Sequence, residues 1–397
     1  MSSFLKIALP ALALTGSVYA QSNSNSCSVS ATKTIQNAGD ATALSSCSTF
    51  SGSIAIATGT TDDIALNGIK KIAGNLVADN NSNMKRISAD SLVEVDGSIE
   101  LDGLTRLYAV DMPKLKTVET IKWNALPNLQ NIGFTAEVTK ADNVRIENTA
   151  LRSLKGINIE KADTIFVANN GYINEINMQL GNVSDSLTFA DNNEKLAVTL
   201  PNLIWATNLT FRFIGSLEMP SLETLNGSLG LYNNGFDSFA APNLTSIGEA
   251  LAIVANEQVS NISFPLLTKI TDNLQIANNT NLSSIDGFPK LTSIGGAFDI
   301  SGNMSTVETP ELDSVKGAFN LQSTGNITEA CSFYKPLKDK KLIQGKYFCQ
   351  GKLVDPSVAG SKPTSQGNGD DKTGAATSLS AVNGALGLAA MAAVFLL

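Results

Sequence analysis

The sequence predicts a mainly β protein: one parallel β-solenoid of about 13 coils, leucine-rich-repeat-like, with disulfide-capped ends. Three observations carry that expectation. A Pro-x-Leu-x-x-aliphatic phrase recurs, at Pro113–Val118, Pro127–Ile132, Pro220–Leu225, Pro242–Ile247, Pro265–Ile270, Pro289–Ile294 and Pro310–Val315. An apolar-x-apolar phrase starts at residues 54, 76, 99, 121, 144, 165, 187, 209, 229, 251, 274, 298 and 319, in steps of 20 to 24. The four cysteines stand in two pairs outside that run, Cys27 with Cys47 and Cys331 with Cys349.

Each apolar-x-apolar phrase reads as a short strand with two side chains pointing inward. Each proline phrase turns the coil and supplies a second inward pair. One coil cannot bury its face alone, whereas stacked coils share a continuous core. The period leaves open whether the outline is a horseshoe or a closed β-helix. Asparagine recurs four or five places after the strand start, at Asn80, Asn148, Asn169, Asn192, Asn233, Asn256, Asn278 and Asn303. At a turn this residue bonds backbone and tolerates unusual φ/ψ, so a stack bonding coil to coil is expected there.

The chain ends read as addresses. Lys6, the apolar run Ile7 to Leu14 and the small-residue close at Ala20 predict a secretory signal peptide over 1–20. The last 13 residues, Ala385 to Leu397, are apolar and too few to span a bilayer. With the small triplet Gly374-Ala375-Ala376 and a polar spacer ahead, they read as a GPI-attachment signal. Gly374 is the expected attachment residue, with Asn368-Gly369-Asp370 as the alternative. The expected organisation is a signal peptide at 1–20, an N-terminal disulfide cap at 21–50 and solenoid repeats at 51–325. A C-terminal cap at 326–352, a Ser/Gly/Asp-rich linker at 353–374 and a removed propeptide at 375–397 complete it.

The secretory route is oxidising, so two disulfides are expected. Of three connectivities, Cys27–Cys47 with Cys331–Cys349 seals each open end of the core. Ten Asn-x-Ser/Thr sequons stand at Asn80, Asn182, Asn208, Asn226, Asn243, Asn261, Asn278, Asn281, Asn303 and Asn326, a density that suggests a glycoprotein. Asn80 and Asn278 fall in the expected ladder, where a glycan is hard to accommodate. Asn182, Asn208, Asn226, Asn243 and Asn326 are the better acceptors on this reading.

Composition excludes more than it selects. The 397 residues hold no histidine, which removes Ser-His-Asp, Cys-His and His-ligated metal chemistry. Loss of residues 1–20 leaves 27 basic against 36 acidic residues, a net charge of −9 that disfavours nucleic acid. No metal ligand set and no cofactor motif is read, so none is expected. The outward face of the sheet is the candidate ligand face. It carries Glu100, Asp102, Lys122, Arg145, Glu147 and Arg212 with Phe166 and Tyr232 nearby, then turns small and neutral. A polar stripe with aromatics suits a glycan; small residues suit close contact with a protein; a plain solvated face is the unexceptional reading. Glu100 and Glu147 lie two coils apart, which permits carboxylate glycosidase chemistry, but Lys122 and Arg145 between them read equally as cross-strand pairing. Trp123 falls at an inward position, and Trp205 at a turn.

Signal peptide, Cys27–Cys47 opening, proline-punctuated coils, Cys331…Cys349 close, Ser/Gly-rich tail and GPI signal occur in that order. Together they resemble the fungal GPI-anchored cell-wall organisation proteins of the "extracellular mutant" and sporulation-specific wall protein family. That resemblance covers nearly the whole chain. It implies a receptor L-domain-like ectodomain and a non-enzymatic glycoprotein of the plasma-membrane outer leaflet and wall, reached through the secretory pathway and needed for wall organisation. The implied partners are wall polysaccharide or wall glycoproteins; an adhesin or receptor-like module binding a protein is the alternative, and a glycosidase the third reading. The tail after Gly351 is short for a wall-spanning stalk, which implies a position close to the membrane.

Overall fold

In the computed structural model, residues 27–358 are described; the segments expected to be the signal peptide, most of the linker and the GPI signal with Gly374 lie outside them. The described chain winds as a parallel solenoid. All thirteen predicted strand starts fall in one large sheet and pair in register, from Ile54↔Leu76 through Leu209↔Leu229 to Phe298↔Phe319. The registers predicted from spacing are therefore those observed. Two strands extend the sheet beyond the repeats: Ser28–Ile35 pairs ahead of the first coil, and Tyr347–Gln350 behind the last. Opposite the sheet runs a ladder of short parallel strands, among them Arg86–Ser88, Glu175–Asn177 and Asn261–Ser263.

The core lies between these two walls. Positions one and three of each phrase point inward, as in Ile121 and Trp123 or Leu209 and Phe211, and are 4% exposed or less. Trp123 is core, edge-on to Phe134 at 5.8 Å. Column stacking continues the repeat into ring contacts, with Phe298 on Phe319 at 4.4 Å and Phe264 on Phe288 at 5.0 Å. The proline phrases seat their leucines in the same core: Leu115, Leu222, Leu244 and Leu291 are fully buried. Outside, their threonines form a second ladder, Thr245, Thr268 and Thr292 each donating to a carbonyl one coil back.

The asparagine ladder exists, displaced by one residue from much of its predicted course. Asn80, Asn148, Asn169, Asn233 and Asn278 take left-handed φ of 49 to 57°, turning the chain off the sheet. The residue after the left-handed one faces inward, and there Asn81, Asn170, Asn234 and Asn279 are buried, with Thr149 after Asn148 and, after left-handed Ala255, Asn256. The left-handed residue breaks the two-residue alternation, so the buried amide comes one place later than strand counting gives. Asn256 shows the chemistry. Its Oδ1 accepts the Asn234 N–H at 2.9 Å, and its Nδ2 donates to the Leu231 carbonyl at 2.9 Å. Asn279 and Asn234 repeat both contacts, on Asn256 and Ile253 and on Ile214 and Phe211.

Both predicted disulfides form, Cys27–Cys47 and Cys331–Cys349, with Cα separations of 5.4 and 5.6 Å. The helix Thr328–Asp339 closes the C-terminal end, burying Tyr334 against Phe298 and Phe319. The Tyr334 hydroxyl pairs with buried Thr309 Oγ1 at 2.8 Å. Among the described residues no helix is long and apolar enough to cross a membrane.

Two outcomes follow. Asn256→Ala strands a buried amide N–H and a carbonyl, and is expected to cost about 2–4 kcal/mol, read as a lower urea midpoint. Burial pushes the Tyr334 phenol well above its ordinary 10.0. The folded chain then holds a proton that the unfolded chain releases, so stability falls as pH rises past about 10. Urea midpoints at about pH 9 and pH 11 should differ less in Tyr334→Phe than in the parent.

Candidate functional site

The outward face of the sheet divides in two. At its N-terminal end the charged residues satisfy one another across strands. Lys122 Nζ meets Glu100 Oε2 at 3.3 Å, and Ser98 Oγ donates to Glu100 Oε1 at 2.7 Å. Asn124 Nδ2 donates to Asp102 Oδ1 at 2.8 Å. Glu100 and Lys122 thus pair as opposite charges on neighbouring strands, and Asp102 is held by the Asn124 amide.

The middle of the sheet is different. A shallow depression of about 340 Å³ opens between Phe166 and Tyr232, bordered by Arg145. Phe166 and Tyr232 are three strand steps apart, about 14 Å along the axis. Thr188, Thr210 and Gly230 form its floor; Thr164, Ser186, Asn208 and Ser228 line one edge with hydroxyl and amide groups. Arg145 is held twice, by Glu147 Oε2 at 2.5 Å from its Nε and by the Phe166 ring, 4.4 Å from Cζ to the centroid. The Arg212 guanidinium lies 5.6 Å from the Tyr232 ring centroid.

Gly230 sets the position of the tyrosine. A Cβ there would stand 2.4 Å from Tyr232 Cε2 and 3.0 Å from its hydroxyl, so the ring folds back over the bare glycine. Burial pushes the Tyr232 phenol up, with Arg212 opposing, and the group remains a protonated donor at neutral pH. The arrangement offers aromatic faces, hydroxyls and an amide edge, and no acidic residue lines it.

Of the eight residues predicted for the ligand face, the structure brings Arg145, Phe166 and Tyr232 to the depression, with Glu147 and Arg212 holding two of them. Glu100, Asp102 and Lys122 lie outside it. The edge row Thr164, Ser186, Asn208 and Ser228 was not foreseen. It sits one place before each strand start, just after register shifts such as that between Val183 and Ser186.

Among the sequon asparagines, Asn80, Asn226, Asn243, Asn261, Asn278, Asn281, Asn303 and Asn326 are exposed, while Asn182 and Asn208 are half-buried. Asn80 and Asn278 are turn residues on the outside; their buried neighbours hold the ladder. Asn208 is engaged, its Oδ1 accepting the Ser228 N–H at 3.0 Å. No sequon asparagine stands on the two outward rows of the repeat strands, such as Arg145, Phe166 and Thr188 or Arg212 and Tyr232.

A solenoid with capped ends and a sheet whose two outward rows carry no sequon asparagine defines a surface-display scaffold of the extracellular kind. The comparisons narrow that class. A family model described as GPI-anchored cell wall organization protein matches residues 2–45. "Protein ecm33" of Aspergillus fumigatus is 38% identical over 369 residues, 92% of this chain and 91% of that one. A "Cell surface GPI-anchored protein" of Arthroderma benhamiae is 38% identical over 342 residues, 86% and 85% of the two chains. "Cell surface GPI-anchored protein ECM33" of Candida albicans is 32% identical over 340 residues, 85% and 82%. The chain belongs to this Ecm33 family of GPI-anchored cell wall organisation proteins. No solved structure matches it.

Phe213, just past the Arg212 strand end, is a turn residue that the fold does not require. It takes φ 52° at the left-handed position where other coils use Asn, Asp, Ala or Gly, and it is 41% exposed. A bulky residue there is strained by about 1–2 kcal/mol. Phe213→Asn is expected to raise the melting temperature, measured by calorimetry on the purified protein.

Proposed function

We propose that this protein is a non-enzymatic, GPI-anchored glycoprotein of the fungal surface that organises the wall by holding a neutral wall glycan on its sheet face. It would sit on the outer leaflet and in the wall, as the names of its relatives describe those proteins. The observation that carries the glycan reading is the depression itself. Pyranose rings present apolar C–H faces and a rim of hydroxyls. Phe166 and Tyr232 supply faces for the first; Thr188, Thr210, Asn208 and Ser228 supply partners for the second. The open, elongated floor suits a chain better than a single sugar.

A glycosidase needs two carboxylates flanking one bond. No acidic residue lines the depression; Glu147 beside it is bonded to Arg145, and Asp185 and Glu249 behind its edge are taken up by the Thr164 and Ser228 hydroxyls. This favours binding over hydrolysis.

The test is retention of the purified protein on insoluble β-glucan, chitin and mannan. Retention on one polymer is expected. Tyr232→Ala should weaken it about 3- to 10-fold, the worth of one aromatic contact. Gly230→Ala should weaken it too, because its methyl displaces the Tyr232 ring, with little change in melting temperature. Indifference to all three polymers would overturn the glycan reading and favour a protein partner.

A further inference from the structure

The outward face changes character again at its C-terminal end. Gly230, Ala252 and Ala277 make the middle of the face small and neutral. On the last two coils the same rows read Asp299, Ser301, Asn320 and Gln322. These polar residues face outward, yet none is more than 5% exposed. What covers them is the chain's own continuation past the strand Tyr347–Gln350. Lys352 turns the backbone at φ 59°. The Lys352 and Leu353 amides donate to the Gly325 and Ser323 carbonyls at 2.8 and 3.0 Å. The segment then runs back across the sheet to Ser357.

There two side-chain amides hold both main-chain groups of one residue. Asn320 Nδ2 donates to the Ser357 carbonyl at 3.0 Å, and the Ser357 N–H donates to Gln322 Oε1 at 3.1 Å. The pair is oriented in advance. Asn320 Nδ2 also bonds Asp299 Oδ1 at 2.8 Å, and Gln322 Nε2 bonds Asn320 Oδ1 at 2.9 Å. The Ser357 hydroxyl is buried with no partner among the described residues, so the grip is on backbone rather than on the side chain. Strand addition recognises an extended segment through the N–H and C=O of one residue, and here two side-chain amides make that pair of contacts from the sheet face.

We propose that the Asp299–Asn320–Gln322 stripe is a docking site for an extended peptide, filled in cis by residues 352–357, and that it fixes where the anchor tether leaves the solenoid. The tether departs from the outward face of the sheet, not from the end of the coil stack. Four strand steps separate the Gly230 strand from the Asn320 strand, so the tether starts about 20 Å along the axis from the depression, on the same face. A chain that simply continued along the solenoid axis would leave this amide network in water, where each of its bonds contributes little.

The experiment is hydrogen–deuterium exchange of the full-length protein in detergent. Peptides covering 352–358 should exchange at least about tenfold more slowly than a free chain, as expected for a hydrogen-bonded segment. Ser357→Pro removes the N–H that Gln322 accepts and lies outside the sheet. It should speed exchange of the segment about tenfold while 319–323 and 347–350 stay protected. Gln322→Met, which keeps volume and deletes the acceptor, should do the same and should hasten tryptic cleavage after Lys352. Free-chain exchange of 352–358 in the parent, or unchanged protection in both variants, would overturn the proposal.

Discussion

A coil that turns off a sheet leaves backbone groups pointing into the core, and this structure rests on satisfying them. The left-handed residue at each turn swings one N–H inward and parts one strand carbonyl from the next coil. A buried asparagine of the neighbouring coil bonds both, as Asn234 does for Ile214 and Phe211. An unpaired group there would cost about 1–3 kcal/mol, and the cost would recur coil after coil. The amide therefore does what apolar packing cannot: it fixes the phase of one coil against the next. Leu, Ile and Phe columns then stack because the phase is set.

That phase has a functional consequence. When every coil repeats in register, the outward residues also form straight rows, and a row is a surface whose properties change smoothly along the axis. The chain uses this to write three segments on one face: a self-neutralised charge ladder, a depression with aromatics, and a polar stripe closed by its own tail. None of the three needs a loop or a hinge. Shape comes from residue size at fixed spacing, with Gly230 as the clearest case, where the missing side chain is filled by the Tyr232 ring. The sheet edges are managed at the same time. The disulfides and the C-terminal helix protect the two ends, which would otherwise offer unpaired strands to other chains.

Much of this was legible without coordinates. The thirteen strand starts could be read because inward positions demand apolar residues at a constant period. The cysteine pairing followed because only local pairs close the two ends. The ladder lies one residue later than Asn80, Asn169, Asn233 and Asn278, since alternation assumes extended backbone and these residues are left-handed. The same displacement leaves the Asn80 and Asn278 side chains facing solvent, outside the ladder expected to hold them. Glu100, Asp102 and Lys122 entered the candidate ligand face because charge is visible in sequence while its pairing is not.

The sequence by itself determined the solenoid, its register, its capped ends and its family, because each is a one-dimensional property: a period, an order of features, a composition. Which outward residues meet in a depression, and which are hidden beneath the tail, only the tertiary structure decided. Thr164 and Gly230, or Asn320 and Ser357, lie far apart in the chain and come together only when coils stack about 4.8 Å apart and the chain folds back over them. The predicted solenoid is thus the frame, and the surface written on it is the product of stacking.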